Sequence, residues 1–399
     1  MRMIWEKRCL GELCTLFTDG DWIETKDQSI SGIRLIQTGN VGESIFKNRL
    51  DKARWITQSK FDELKCQEVL PGDILISRLP DPVGRACIIP ELGVKCITGV
   101  DCSIVRLSHE IDANWFIRYS QSKAYQAQIE SSVTGTTRKR ISRKNLGKIE
   151  IPIPPLEEQK RIAGILDEAA RVRKKTQALI DKFDELAQSL FLDMFGDPVT
   201  NPKGWEVKSL SAIADVDFFD GDWVESKDQD PEGGIRLIQL ADIGEGKFLN
   251  KSAKFINSDA ATRLKVSFLK TGDLLMARMP DPIGRTCVFP LSEPCITAVD
   301  VCVVRCSSRY LITYLNGVFS QSGMHKKIER LATGTTRKRA ARSKIGKVEL
   351  ALPDESIIRS YSNRLKIILQ AQEDAGLQLK LDNDLFNALL QKAFKGELT

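Results

Sequence analysis

Histidine is nearly missing from this 399-residue sequence: His109 and His325 are its only two. A histidine-based metal site or catalytic dyad therefore has little material. Cys-x-x-C pairs are missing as well, although there are ten cysteines (Cys9, Cys14, Cys66, Cys87, Cys96, Cys102, Cys287, Cys295, Cys302, Cys306). Most sit in apolar, strand-like surroundings such as A-C-I-I-P (Ala86–Pro90) and T-C-V-F-P (Thr286–Pro290), which predicts buried, reduced thiols. No apolar run approaches the length of a membrane span, and no signal peptide precedes the polar start Met1–Lys7. A cytoplasmic location without membrane contact is expected. There is no G-x-x-x-x-G-K-[ST] loop for ATP, and no F-x-G-x-G loop or N-P-P-[FY] tetrapeptide for methyl transfer from S-adenosylmethionine. The only Pro-Pro, Pro154-Pro155, precedes a helix. No convincing catalytic site and no bound cofactor are expected. The net charge of +6 is modest, so any nucleic-acid argument must rest on how charge is distributed.

What the sequence does have is a repeat of itself. T-G-T-T-R-K-R occurs at Thr134–Arg140 and again at Thr333–Arg339. W-E-K-R-C-L (Trp5–Leu10) answers to W-E-V-K-S-L (Trp205–Leu210), and D-G-D-W-I-E-T-K-D-Q (Asp19–Gln28) to D-G-D-W-V-E-S-K-D-Q (Asp220–Gln229). G-I-R-L-I-Q recurs at Gly32–Gln37 and Gly234–Gln239, short and β-branched enough for a strand. P-G-D-I-L-I-S-R (Pro71–Arg78) matches T-G-D-L-L-M-A-R (Thr271–Arg278), and each runs into a P-D-P-x-G-R turn, Pro80–Arg85 or Pro280–Arg285. The offset stays between 199 and 202 residues, far longer than a solenoid period, so whole domains are duplicated. Strands mixed with a few helices put each copy in the α+β class.

Each copy ends in a long amphipathic stretch. From Ile162 the apolar stripe runs through Leu166, Ala169, Val172, Thr176, Leu179, Phe183, Leu186, Leu190 and Met194, and stops at Gly196 with Pro198 beyond. In copy two Ile358, Tyr361, Leu365, Ile368, Gln372, Ala375, Leu379, Asp382, Phe386, Leu389 and Ala393 keep heptad spacing. Two such stripes most simply bury each other as an antiparallel coiled coil, with Ile162, Leu166, Leu179, Phe183 and Leu190 facing Leu365, Ile368, Leu379, Phe386 and Leu389. The expected order is a head (1–153), a stalk (154–196), a second head (197–352) and a second stalk (353–399), with pseudo-two-fold symmetry.

Several segments suit nucleic acid. Arg138, Lys139, Arg140, Arg143, Lys144 and Lys148 lie together without an acid, as do Arg337, Lys338, Arg339, Arg342, Lys344 and Lys347. The hydroxyls of Thr136, Thr137, Thr335 and Thr336 precede them and suit phosphate oxygens. The plainer alternative is a solvated basic edge. The turns place Arg78, Asp81 and Arg85, and again Arg278, Asp281 and Arg285, on proline-stiffened loops. There arginine can read guanine and aspartate can accept from cytosine, or Asp81 and Arg85 can simply pair within the turn. Arg34 with Gln37, and Arg236 with Gln239, close a strand and are weaker base-reading candidates. Trp22 and Trp223 are expected as half-buried anchors. Two rival functions have a foothold. Glu24-Thr25-Lys26 near Asp21, and Glu225-Ser226-Lys227 near Asp222, are E-x-K triplets of a kind used by metal-dependent nucleases, though no Pro-Asp stands upstream on a strand. A coiled-coil adaptor whose heads bind protein is the other.

The run T-G-T-T-R-K-R-I-S-R-K-N-L-G-K-I-E-I-P-I-P-P-L-E-E-Q-K-R-I-A-G-I-L-D (Thr134–Asp167), with Trp205–Leu210 and Gly72–Arg78, resembles the specificity (S) subunit of type I restriction–modification systems. The resemblance covers essentially the whole chain, and Pro152–Asp167 is its most specific piece. It implies two target-recognition domains, each reading half of a bipartite double-stranded DNA sequence. It also implies helices that form an antiparallel coiled coil and dock two modification (methyltransferase) subunits, joined by restriction subunits with translocase and nuclease activity. S-adenosylmethionine, ATP and magnesium would then belong to the partners. The second stalk departs from the family by opening L-P-D-E-S-I-I-R (Leu352–Arg359), and the P-D-P turns replace a more glycine-rich one. Because the heads are near-copies, the expected target is interrupted and nearly palindromic, with a spacer set by the stalk.

Overall fold

Short β-branched runs buried on both faces set the frame of each head. In the first copy the strands are β1 (Lys7–Cys9), β2 (Cys14–Asp19), β3 (Ile33–Ile36), β4 (Arg54–Ile56), β5 (Ile74–Ser77), β6 (Ala86–Ile88), β7 (Cys96–Thr98), β8 (Cys102–Leu107) and β9 (Glu150–Pro152). The helices are α1 (Gln58–Glu63), α2 (Ala113–Ser120), α3 (Lys123–Ser132), α4 (Arg143–Leu146) and the 40-residue α5 (Leu156–Phe195). This is a computed structural model, and it describes residues 5–135, 138–335 and 337–398. All four residues of β3 and of β5 are buried, as strands covered on both faces require. An antiparallel sheet has the order β2-β8-β5-β6, and a three-stranded one the order β4-β3-β7, with β3 and β7 parallel. β1 pairs with β9, which ties the start of the head to its last strand. Ser120-Gln121-Ser122 joins α2 to α3, and Ser122 caps α3 by accepting from the Tyr125 amide at 3.2 Å.

The second copy repeats this order. Its strands are β10 (Glu206–Ser209), β11 (Asp217–Asp220), β12 (Ile235–Ile238), β13 (Phe255–Ile256), β14 (Leu274–Ala277), β15 (Thr286–Val288), β16 (Cys295–Thr297), β17 (Val301–Arg305), β18 (Ala332–Thr333), β19 (Arg339–Ala340) and β20 (Glu349–Leu352). Its helices are α6 (Ser258–Leu264), α7 (Arg309–Phe319), α8 (Ser322–Glu329), α9 (Arg342–Ile345) and α10 (Glu355–Phe394). The sheets β11-β17-β14-β15 and β13-β12-β16 reproduce those of the first copy. The ten cysteines are free thiols, and seven are buried. Among the described residues no helix is long and apolar enough to cross a membrane.

Two compact units emerge, Met1–Gln177 with Leu377–Thr399, and Ala178–Gly376. They cut across a serial head–stalk division because the ends of the long helices complete the core of each head. In the first unit Ile162 and Leu166 of α5 share a core with Phe386, Leu390 and Ala393 of α10. Trp115, fully buried there, donates to the Pro152 carbonyl and packs on Trp5 and Phe394. In the second unit Phe191 and Phe195 of α5 enclose Tyr361 of α10 at ring separations of 5.7 and 5.0 Å. Burying one such ring contributes on the order of 1.5–3 kcal/mol.

The helix segments run antiparallel in each unit. In the first, Arg161 donates to the Leu398 carbonyl, Arg173 covers the Phe386 ring and Thr176 meets Asp382, so numbers rise along α5 as they fall along α10. In the second, Gln372 donates to the Ile180 carbonyl while Phe191 reaches Tyr361. Most of the expected seam residues are covered, Leu166 and Phe386 fully so. Leu179 is a correction: it is 46% exposed, and Val172 and Leu186 are exposed with it. The covered face passes instead through Thr176, Ile180, Phe183 and Ala187. At 3.6 residues per turn the step after Thr176 is four residues, which brings Ile180 to the partner helix and turns Leu179 outward.

Candidate nucleic-acid interface

A tethered loop carries the first half of the candidate site. After β2 the chain passes Gly20, where an added Cβ would lie 2.4 Å from the Thr98 and Gly99 carbonyl oxygens, so only glycine allows this approach. Gly221 meets Thr297 and Ala298 in the same way. Asp21 N–H then donates to the Thr98 carbonyl at 2.8 Å, and the Asp21 carboxylate accepts from the Gln67 amide at 3.1 Å. In the second copy Asp222 bonds Thr297 and Ser267 identically. Burial pushes the Asp21 carboxyl up to about 6, against the opposing pull of the Gln67 amide. The same cause raises Asp222.

Trp22 and Trp223 follow directly, and they correct an expectation. They are not half-buried anchors but 70% and 65% exposed. Each indole N–H donates to the carboxylate two residues on, Glu24 or Glu225, at 3.4 Å. That carboxylate is in turn paired with Lys26 at 2.7 Å or Lys227 at 2.6 Å, which holds its pKa below the usual range. The E-x-K triplets therefore use their charges on each other and on the tryptophan. In the sequence each tryptophan stands out only by its Asp- and Gly-rich neighbours, and its exposure shows only in the fold.

A basic hairpin carries the second half. Gly135 and Gly334 have φ of +94° and +107°, and an added Cβ would meet the carbonyl of Arg138 or Arg337 within 2.6 Å. The heptapeptide thus turns back on itself, with Thr134 and Arg140 exchanging both backbone bonds and β18 pairing with β19. Arg138 and Lys139 stand exposed at the tip, as do Arg337 and Lys338, and Lys338 reaches Glu329 at 3.4 Å. Arg140 turns inward to Asp101 at 3.3 Å, and Arg339 to Asp300 at 3.2 Å. Arg143 lies 3.8 Å from Asp19, and Arg342 lies 2.9 Å from Asp220. Thr335 is exposed. Thr136, Thr137 and Thr336 lie outside the described residues.

Loop and hairpin meet across a cleft in each unit. Trp22, Gln37, Asp101, Arg138 and Arg140 line the first. Trp223, Gln239, Asp300, Arg337 and Arg339 line the second. Of the strand-end candidates, only the glutamines reach the cleft. Arg34 and Arg236 do not line it: Arg34 is buried over the Phe46 ring, and Arg236 donates to the Ser252 carbonyl beside Asp242.

The proline-turn arginines are a second correction. Arg85 is buried and donates to four backbone carbonyls, those of Thr38, Val41, Leu79 and Pro82, at 2.7–3.0 Å. Arg285 does the same to Leu240, Ile243, Met279 and Pro282. Arg78 and Arg278, also buried, pair with Asp19 and Asp220. A guanidinium buried in the fold and engaged with carbonyls or a carboxylate there does not reach a guanine edge. These four arginines instead brace the turn and the strand end beside the cleft. Asp81 and Asp281 remain exposed at the turn tips, and the Arg85 and Arg285 donors go to carbonyls rather than to them.

Each unit holds an α+β head with an arginine-rimmed cleft, and ends of the two long helices, antiparallel there, complete it. Comparison with known proteins finds relatives of this chain. The type I restriction modification DNA specificity domain family matches residues 4–181. The StySPI specificity subunit of Salmonella potsdam is 24% identical over 358 residues, 84% of this chain and 76% of that protein. The EcoKI specificity subunit of Escherichia coli K12 is 21% identical over the same shares. The MjaVIII specificity subunit of Methanocaldococcus jannaschii is 25% identical over 238 residues, so the alignment spans only 55% of that relative. A chain from a structure describing assembly of the type I R-M system shares the fold, with a TM-score of 0.62, 17% identity and 99% and 98% of the two chains covered. The S subunit from M. genitalium gives 0.54, with 14% identity and 98% and 96% coverage. Residues 4–181 thus match a type I DNA specificity domain, and most of the chain is similar to specificity subunits of type I restriction enzymes.

Proposed function

We propose that this chain reads a bipartite double-stranded DNA target and docks the methyltransferase subunits that modify it. The observation that carries the reading is the recurrence, in both copies, of one cleft with exposed Arg138 or Arg337 at its rim, the exposed Lys139 or Lys338 next to it in the chain, and a glutamine in its lining. Exposed cations position the phosphate backbone, and a glutamine can pair bidentately with adenine. Residues 1–153 and 197–352 act as target-recognition domains, and 154–196 and 353–399 as stalks. A duplicated reader suits an interrupted, nearly palindromic target. Leu377, Leu381 and Leu385 expose an apolar stripe at four-residue spacing on α10, which suits helix-face docking of a protein partner. In this reading two modification subunits dock, restriction subunits join them, and S-adenosylmethionine, ATP and magnesium are bound by those partners.

Methylation mapping tests it. DNA from cells co-expressing the chain with its modification subunit should carry a methylated, interrupted motif with two related halves. The motif should vanish when the chain is omitted. An active partner that yields no new motif refutes the reading, and two unrelated halves refute only the near-palindrome.

A further inference from the structure

We propose that Trp22 and Trp223 are specificity-determining DNA contacts, each indole seating against an apolar base surface in one half-site. The inference rests on the DNA reading above and adds an apolar reader to it. Of the six tryptophans, Trp5, Trp55, Trp115 and Trp205 are buried or partly covered. Only Trp22 and Trp223 stand largely in water, and they occupy equivalent positions in the two copies. Leaving so large an apolar group exposed forgoes its burial energy at both sites.

The indoles are also held. The glycine approach at Gly20 or Gly221 and the Asp21 or Asp222 carboxylate clamp fix the backbone before the ring. The indole N–H is tied to Glu24 or Glu225, and those glutamates are fixed by lysine. An aromatic ring ordered before its ligand arrives loses little entropy on binding. Its setting selects the ligand. Each ring shares a cleft with an exposed arginine, Arg138 or Arg337, and with Gln37 or Gln239. A cationic rim beside an aromatic face and an amide matches phosphate, base face and base edge together. A thymine methyl and the face of an unstacked base offer the same apolar chemistry.

The test uses the full chain in complex with its modification subunit and a duplex carrying the mapped methylation motif. Trp22→Ala and Trp223→Ala should each weaken binding to that duplex by about tenfold or more. Affinity for a scrambled duplex and the melting temperature should stay as in the wild type, and Trp→Phe should restore most of the loss. Each single variant should relax base preference in one half of the motif only. Uracil in place of thymine would reproduce the loss if the methyl is the contact, and 2-aminopurine would brighten on binding if a base is unstacked. Alanine variants that bind the motif within about twofold of wild type overturn the assignment. So do variants that lose specific and scrambled binding equally, or that lose only the modification subunit. Failure of the wild-type complex to prefer its motif would instead remove the DNA reading itself.

Discussion

Thr176 on α5 donates its hydroxyl to the Asp382 carboxylate on α10 at 2.6 Å, and Asp382 is buried in the seam between the helices. The other Asp382 oxygen accepts from Gln378 on its own helix at 2.8 Å. A polar pair in such a seam fixes register at a cost in stability. Replacing it with Thr176→Val and Asp382→Leu together should raise the melting temperature by about 2–4 °C. Thr176→Val alone, which leaves the carboxylate short of a donor, should lower it. Calorimetry of the three proteins checks the order.

Arg85 and Arg285 should behave as fold residues. Arg85→Ala strands four carbonyls that the guanidinium satisfies, so a loss of roughly 3–5 kcal/mol is expected, and Arg85→Lys should recover only part of it. Urea unfolding gives the size of the loss. A folded Arg85→Ala protein with a redirected methylation motif would show that the arginine reads bases after all.

The hairpin tips make a different prediction. Arg138 and Lys139 are exposed cations, so Arg138→Ala with Lys139→Ala should weaken binding to specific and scrambled DNA alike. It should also flatten the salt dependence of log K by about 1–2. Arg140 is held by Asp101, and Asp101→Asn should free it and strengthen non-specific binding. Anisotropy titrations at several salt concentrations measure both effects.

Asp21 sets a pH dependence. Its carboxyl is raised to about 6 by burial, so the folded protein penalises its charged form. That penalty is fully present above about 6, and it fades as the pH falls through 6 toward the unfolded value of about 4. From this group stability rises on going from pH 7 to pH 5, and Asp21→Asn should remove a rise of roughly 1–3 °C in melting temperature. Melting curves between pH 4.5 and 7.5 on both proteins decide it.

Much of this architecture was written in local pattern. The buried β-branched runs Ile33–Ile36 and Ile74–Ser77 and the heptad stripe through Phe386 each carry their own pattern, and they became strands and a helix as expected. The sequence by itself also determined the duplication, since a repeat needs no coordinates to be seen. Only tertiary structure decided what the charged and aromatic side chains do. Arg138 and Arg85 are chemically the same, yet one stands in water and the other is spent on carbonyls contributed by Thr38 and Val41, more than 40 residues away. Trp22 and Trp115 likewise differ only in what the rest of the chain places over them. Burial and hydrogen-bond partners are set by long-range contacts, which periodicity does not encode.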